Sequence, residues 1–439
     1  MRRAQGQAST EYVALLALVA VALAAGAALV GVGSWASPVG AAVRHGLCVL
    51  TAGVCSQAEA WRAGLAACPL STRSDSRSAA AIVVLVRLGR EQGLVVERRS
   101  DGGVSVTVLE QGNVGAEAGV GVSFSPLGLR ADARGSLGVG FSAGRSYDFA
   151  DEDTAARFVK RVQERRSLGA RVKRAAGTAL CPLCRLLSGG DGGEPEPSAR
   201  FLEGGGQARG TAALRGGALE AELTAAARVA LGRSVARDGS VTYALTTGLE
   251  GTAAAGLFGA QGRRTRSAET VVEYTVSPRG EPRTLRVRSA HEHAGGIEGS
   301  AGASRGAVLD ALELSSTTSS GRVLEAGGTL DLADPGDRRA AQALVSSLRP
   351  GVAPAAVARR MEQVRERIAR HGTVDLRTYD THEQGRSFDA GLALGARLGL
   401  AVESVRRGRA LVDAYTATSG GPARERADCL EALRRRAGP

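Results

Sequence analysis

Residues 94–109, LVVERRSDGGVSVTVL, decide the fold that is expected for most of this chain. Two short runs rich in valine flank Asp101-Gly102-Gly103, a sequence typical of a tight turn. Apolar side chains at alternate positions share one face of a strand, so the stretch predicts an antiparallel hairpin. Similar runs, divided by Gly, Asp and Pro, continue from Gly93 toward the C-terminus. The part of the chain after the N-terminal region is therefore expected to be rich in antiparallel strands.

Helices are expected to close two similar sets of strands. The first helix begins after Asp151, a residue type favoured at N-caps, and places Ala155 and Phe158 on one face. Residues 329–334, TLDLAD, match residues 146–151, SYDFAD, and a helical pattern follows both. We therefore predict an α+β protein in which a meander of Gly- and Ala-rich strands with a packed helix is duplicated. Chance similarity in a biased composition is the alternative.

The predicted organisation follows changes in composition along the 439 residues. A flexible linker is indicated by SGGDGGEPEPS at residues 188–198. The segments are a leader (1–6), a transmembrane helix (7–34), a Cys-containing helical stalk (35–90), a first β-meander with helix (91–187), the linker (188–200), a second β-meander with helix (201–350) and a C-terminal region of helix, strands and charged tail (351–439).

The N-terminal region predicts a membrane anchor. Residues 12–43 contain no charged side chain, and residues 13–32 are nearly all Ala, Val, Leu and Gly, enough to cross about 30 Å of hydrocarbon as a helix. Arg2 and Arg3 precede this run, and the next cation is Arg44. The positive-inside tendency then predicts a single-pass plasma-membrane protein with a cytoplasmic N-terminus, whose bulk is extracytoplasmic or on the cell surface. The lipid bilayer is its first expected partner.

Residues 2–12, RRAQGQASTEY, resemble the processing site of type IV prepilins, especially the type IVb branch of Flp and TadE-like proteins. A basic leader ends in Gly6, Glu11 is the fifth residue after it, and Tyr12 follows that Glu. The resemblance implies cleavage by a prepilin peptidase between Gly6 and Gln7. It also implies that Glu11 pairs with the new amino group at Gln7 of a neighbouring pilin-like subunit. An ordinary signal anchor and a cleaved secretory peptide are the alternatives.

The even number of cysteines favours disulfides in an extracytoplasmic protein. Their fifteen possible pairings cannot be resolved from the sequence, although a bond among the first three, which share one Ala-rich stretch, is favoured. Cys181 and Cys184 have the spacing of a thioredoxin-type redox site, but they follow a predicted helix and precede the linker, so a local structural disulfide is preferred over redox catalysis or zinc binding. The candidates are Cys48, Cys55, Cys68, Cys181, Cys184 and Cys429.

Composition and motifs argue against nucleic-acid binding and catalysis. The formal net charge is +12, but the arginines are scattered among acids and aromatic residues are only 3% of the chain, so no nucleic-acid partner is expected. His291 and His293 could share a metal, yet no third ligand is evident nearby. No nucleophile elbow, P-loop or dinucleotide fingerprint occurs. The chain is therefore expected not to be an enzyme and to have no cofactor, catalytic residue or metal.

Three functions are consistent with this reading. The first is a pilin-like structural or assembly component of a Flp/Tad-type pilus or pseudopilus. The second is a surface adhesin or polymer-binding module on a simple signal anchor. The third is an extracytoplasmic thiol-disulfide oxidoreductase that uses Cys181 and Cys184. The external ligand is not indicated by any motif.

Overall fold

The structure is a computed structural model, and it divides the chain into two units. The first contains Cys48, residues 53–62, residues 65–66 and Arg424–Asp428, and the second contains the remaining described residues. The described residues are 48, 53–62, 65–83, 86–124, 129–166, 195–216, 219–257, 260–305, 309–348, 353–393, 397–418 and 421–437.

The second unit is built on a closed antiparallel β-barrel of twelve strands. Each strand pairs with the next one along the chain, and the last pairs with the first, so Ser76 of β1 lies opposite both Gly93 of β2 and Val405 of β12. The strands are β1 (Pro69–Val83), β2 (Val86–Arg99), β3 (Val104–Phe124), β4 (Leu129–Phe149), β5 (Ala199–Gly216), β6 (Leu219–Ala236), β7 (Val241–Leu257), β8 (Ala260–Val276), β9 (Pro282–Arg305), β10 (Leu309–Asp331), β11 (Thr373–Ala393) and β12 (Arg397–Thr418).

Closure explains how such long strands avoid exposed edges. Strand lengths run from 14 residues in β2 to 24 in β9, far above the mean of about 5–6 in globular proteins. An open sheet of this length would leave two rows of unpaired backbone groups, which invite association with other chains. In the barrel each of the twelve strands is hydrogen-bonded on both sides.

Tight turns mark one end of the barrel, which we call the basal end. Gly102, Gly239 and Gly280 join β2 to β3, β6 to β7 and β8 to β9, and all three have φ between 80° and 90°. This left-handed conformation favours glycine because it has no Cβ. Asp101 Oδ1 accepts a 2.9 Å hydrogen bond from the backbone N–H of Gly103. The hairpin predicted from residues 94–109 is therefore present.

Three helices pack against the barrel at the basal end. Helix α2 (Glu152–Arg166) follows β4, and α3 (Pro335–Ser347) and α4 (Pro354–His371) follow β10. Phe158 of α2 is buried against Val104 and Tyr147. Contacts of α3 and α4 form a larger cluster around Leu285, Leu330, Leu344, Val364 and Ile368.

Two aspartates begin these helices. Asp151 Oδ1 accepts from the N–H of Thr154 at 2.7 Å, and Asp334 Oδ1 accepts from the N–H of Asp337 at 2.9 Å. These hydrogen bonds favour the carboxylate form, so each one lowers the pKa of the aspartate that accepts it. The matching segments at residues 146–151 and 329–334 therefore have the same local role, since each ends a strand and caps a helix.

The first unit contains helix α1 (Gln57–Arg62) and the short strand β13 (Arg424–Glu425). Cys48 and Cys55 form a disulfide. Arg426 is buried, and its guanidinium donates to both carboxylate oxygens of Asp428 at 2.9 and 3.0 Å, which compensates its charge. Helix α5 (Ala427–Ala437) ends the described chain.

In the parts of the chain that the structure describes, no helix is long and apolar enough to cross a membrane. The helix predicted at residues 7–34 lies outside those parts.

The prediction of an α+β protein with duplicated meanders is wrong, because the strands form one closed barrel of twelve. Strand β4, from the predicted first unit, pairs along its length with β5, from the predicted second unit, as in Ser142 opposite Glu203. Closure through β1 and β12 then joins the ends of the series. Periodicity reports which residues share a face of one strand, but not which distant strand covers its edge.

Candidate functional site: the barrel lumen

The two faces of the barrel wall have opposite character. On β4, Leu137, Val139 and Phe141 are 68%, 54% and 60% exposed, whereas Ser142 on the other face is 8% exposed. Large exposed apolar side chains recur on the outer face of several other strands. Further examples are Val114, Leu202, Leu223, Val229, Leu231, Leu249, Ile297, Leu324, Leu376 and Val402. The exterior of these strands is therefore largely apolar, but β1 and β9 to β12 also carry polar side chains on the outer face, including the pair Arg322–Asp380.

The inner face encloses a polar cavity of about 530 Å³. Its wall includes residues from seven consecutive strands, β12 and β1 through β6, which places it in the lumen. Ser74, Ser76 and Ser78 line it from β1, and Gln111 and Asn113 line it from β3. A wall of hydroxyl and amide groups can hydrogen-bond water and polar solutes without a single fixed orientation.

Charged side chains of both signs face this cavity. Arg228 of β6 donates to Glu203 of β5 at 2.5 Å, and Arg407 of β12 donates to Glu383 of β11 at 2.5 Å. Glu292 of β9 also interacts electrostatically with Arg407. Its carboxylate accepts a hydrogen bond from a threonine hydroxyl on β11 at 3.2 Å. The lumen therefore carries paired charges on more than one side of its wall.

A plug occupies the lumen at the basal end. Cys429 of α5 forms a disulfide with Cys68, the residue that precedes β1. Leu430 of α5 packs in the same cluster as Val323 and Tyr379, which lie on the inner faces of β10 and β11. We call Cys68, Cys429, Leu430 and their contacts on the barrel wall the luminal plug. It holds Cys429 and Leu430 of α5 against the inner face of the wall.

Buried charges lie beside the luminal plug. Arg377 of β11 has a side chain that is 6% exposed, and it contacts Glu325 at 3.5 Å and Asp375 at 3.2 Å. Glu97 of β2 and Arg288 of β9 interact electrostatically with each other at this level, although their strands are not neighbours in the barrel. A buried charge without a partner is costly, so each charged group of this network is stabilised by its neighbours of opposite charge. The network lies in the basal part of the lumen.

The residues predicted to have functional roles are distributed as follows. Gly6, Gln7, Glu11 and Tyr12, as well as Cys181 and Cys184, lie outside the described residues. The four described cysteines form the pairs Cys48–Cys55 and Cys68–Cys429; the first lies within the trio for which a bond was favoured.

The two histidines of the possible metal pair, His291 and His293, are exposed on the outer face within β9. In the described part of the chain, no group of three His, Cys, Asp or Glu side chains is placed to hold a metal.

Sequence reasoning missed the luminal residues. Glu203, Arg228, Glu383 and Arg407 occur singly in Gly- and Ala-rich strands and match no motif. A usable signal was present in β4, where Leu137, Val139 and Phe141 alternate with Gly and Ser. When alternation with a period of two residues is repeated in successive strands, it is typical of barrels with an apolar outside and a polar inside.

No protein-family model matches the chain, and no curated protein matches it. Similar solved structures include the β domain of the Bordetella autotransporter Brka, at 10% identity and a TM-score of 0.26, covering 79% of this chain and 100% of that one. The translocator domain of NalP from Neisseria meningitidis has 9% identity and a TM-score of 0.28, covering 78% and 88%. The transport unit of AIDA-I from Escherichia coli has 9% identity and a TM-score of 0.27, covering 78% and 90%.

The fold corrects the predicted functions and location. The predicted functions as a pilin-like assembly component, as an adhesin on a simple anchor and as a thiol oxidoreductase are wrong, because the described chain forms one closed twelve-stranded barrel around a polar lumen. The assignment as a single-pass plasma-membrane protein with its bulk outside the membrane is wrong for the same reason.

Proposed function

We propose that this protein is embedded in a lipid bilayer as an outer-membrane-type β-barrel whose lumen admits small polar solutes. The single observation that carries the proposal is the inverted wall, on which Leu137, Val139 and Phe141 face outward and polar or charged groups face inward. Burying one such apolar side chain is worth about 1.5–3 kcal/mol. A bilayer supplies that burial for these side chains without a protein partner.

The backbone supports the same environment. Hydrocarbon offers no hydrogen bonds to N–H and C=O groups, so a spanning sheet must be closed. The pairing of β1 with β12 meets this requirement. A transmembrane strand needs about 9–11 residues, and the shortest strand of the barrel has 14. The strands therefore extend beyond the hydrocarbon, and the basal helices lie on this extension.

The lumen supports a path for polar solutes that is restricted at one end. Its cavity of about 530 Å³ is lined by hydroxyl, amide and paired charged groups, and the luminal plug fills the lumen near β10 and β11. The wall presents both acidic and basic groups, so it can interact weakly with solutes of either charge. This favours nonspecific passage over tight binding. No catalytic step is part of this proposal.

Reconstitution tests the proposal directly. The full chain refolded with phosphatidylcholine vesicles should float with them, resist extraction by carbonate, and migrate differently on SDS gels before and after boiling. In planar bilayers it should add conductance steps. Arg228→Gln with Glu203→Gln, which changes the luminal wall and not the exterior, should alter ion selectivity while leaving insertion unchanged. A barrel that stays monomeric and soluble without detergent, or that inserts without permeability to any ion, contradicts the proposal.

A further inference from the structure

A groove between α3 and α4 gathers arginines outside the barrel. It has a volume of about 600 Å³. Arg339 lines it from α3, and Arg360, Arg367 and Arg370 line it from α4. Glu366 is the one carboxylate among its lining residues. The groove therefore has a strong excess of positive charge.

Two of the four arginines are already engaged with acids. Arg367 donates to Asp337 at 2.6 Å, and that carboxylate is 3% exposed, so this pair holds the two helices together. Arg370 pairs with Glu366 at 3.2 Å on the helix surface. These two ion pairs account for Arg367 and Arg370. The charges of Arg339 and Arg360 are not compensated by either pair.

The other two arginines hydrogen-bond to neutral oxygens. Arg339 Nε donates to the carbonyl of Pro335 at 3.2 Å, and Arg360 Nη1 donates to the side-chain oxygen of Gln363 at 3.4 Å. Both residues are exposed. A guanidinium has five N–H donors, so each retains donors for an anion. Phosphate oxygens suit such planar, forked donors.

Small side chains open the space between these donors. Ala340 and Ala343 form the α3 side of the groove, and Gly336 lies at its start. A Cβ on Gly336 would lie 3.1 Å from Arg367 Nη1, tighter than most real contacts. The opening is several times larger than a phosphate group, so it can admit a phosphate with its neighbouring polar headgroup.

The groove lies beside the apolar exterior of the barrel. Helix α4 packs through Ile368 in the cluster that contacts Val374 of β11. Two residues further along β11, Leu376 is exposed at 39%, and its partner Tyr415 on β12 is exposed at 40%. The lipid-facing wall of the proposed function therefore begins next to α4. Arginine at such a boundary keeps its apolar stem near hydrocarbon and its charge in the headgroup layer.

We propose that the groove between α3 and α4 binds the phosphate headgroup of an anionic membrane lipid, with Arg339 and Arg360 donating charge-assisted hydrogen bonds to its phosphate oxygens. This inference rests on the proposed function, because the lipid reaches the groove only if the barrel is in a bilayer. Arg367 and Arg370, which lie on α4 with Arg360, add positive charge to the groove.

Lipid binding is measured on the full chain in neutral detergent micelles, by native mass spectrometry with phosphatidylglycerol and, separately, with phosphatidylcholine. We expect preferential retention of phosphatidylglycerol, weakened about tenfold or more by Arg339→Gln with Arg360→Gln. The control is Arg157→Gln with Arg161→Gln on α2, which removes the same charge from exposed positions outside the groove. This control should leave binding unchanged, and melting curves should show that both variants fold.

Three outcomes overturn the inference: equal retention of the two lipids, equal loss in the control variant, or displacement of phosphatidylglycerol by inorganic pyrophosphate at similar concentration. The last result assigns the groove to a soluble phosphate compound instead. Micelle binding does not require vesicle insertion, so a chain that binds phosphatidylglycerol in micelles but fails to insert refutes the proposed function and not the anion site.

Discussion

An arginine on the outer wall distinguishes a lipid-facing barrel from a water-soluble one. Leu137 is 68% exposed near the middle of β4. If water surrounds it, Leu137→Arg changes the free energy of unfolding by about 0.5 kcal/mol or less, as is usual for surface positions. If lipid surrounds it near the bilayer midplane, the cost is about 2–4 kcal/mol, which is roughly a 30- to 1,000-fold shift in the folding equilibrium.

The neighbouring residue provides a matched control. Ser136 precedes Leu137 on β4 and, by strand alternation, faces the polar lumen. Ser136→Arg introduces the same side chain at nearly the same depth, but its guanidinium reaches water and luminal acids. We expect it to cost less than about 1 kcal/mol, because lumen-facing substitutions of barrels are tolerated far better than lipid-facing ones.

The assay is urea-dependent folding into phosphatidylcholine vesicles. The folded fraction is read from the difference in gel mobility between unboiled and boiled samples, and the two variants and the unmodified chain are compared at their transition midpoints. The reasoning is refuted if Leu137→Arg and Ser136→Arg shift the midpoint equally, or if neither shifts it. Either result means that the apolar face of β4 does not contact hydrocarbon.

Three further predictions concern the basal end. Replacing Cys68 and Cys429 by serine opens a link across 361 residues; chain entropy sets an upper limit of about 6 kcal/mol, and we expect about 2–5 kcal/mol in urea titration with increased single-channel conductance, whereas unchanged conductance would count against the luminal plug. Arg377→Met should cost about 3–5 kcal/mol because it leaves Glu325 buried without its partner, and adding Glu325→Gln should recover part of the loss in the same titration. Asp334→Ala should lower the melting temperature at pH 7. Because the folded-state pKa of Asp334 lies below its ordinary value of 3.8, the stability it adds is present above that pH and is lost as the pH falls through the folded-state pKa, so the two melting curves should converge there; a constant difference would refute the capping role.

Local features of the fold could be predicted from the residues that form them. The turn at Asp101-Gly102-Gly103 was readable because a left-handed backbone favours glycine and Asp101 bonds within the turn. The helices after Asp151 and Asp334 were readable because an N-cap and a periodic apolar face lie within a few residues of each other. In each case the interacting groups are neighbours in the chain.

The candidate site could not be predicted in this way. Glu203 and Arg228 come together because β5 and β6 are adjacent, and Glu383 meets Arg407 across another strand pair. None of them belongs to a motif. The apolar face of β4 was visible as a pattern, but in a soluble sheet the same face would be the core, so the alternation alone does not say which face is inside.

The sequence by itself determined the hairpin around Asp101-Gly102-Gly103 and the starts of the helices after Asp151 and Asp334, because each depends on backbone preferences and contacts within a few residues. It did not determine β1, which lies within the segment predicted to be a helical stalk. Only the tertiary structure decided that β1 pairs with β12, that Cys68 bonds to Cys429 and that the charged side chains face inward. Those features depend on residues far apart in the chain. These residues come together because every strand of the closed barrel must hydrogen-bond along both of its edges. Local sequence preferences do not specify which distant strand covers each edge.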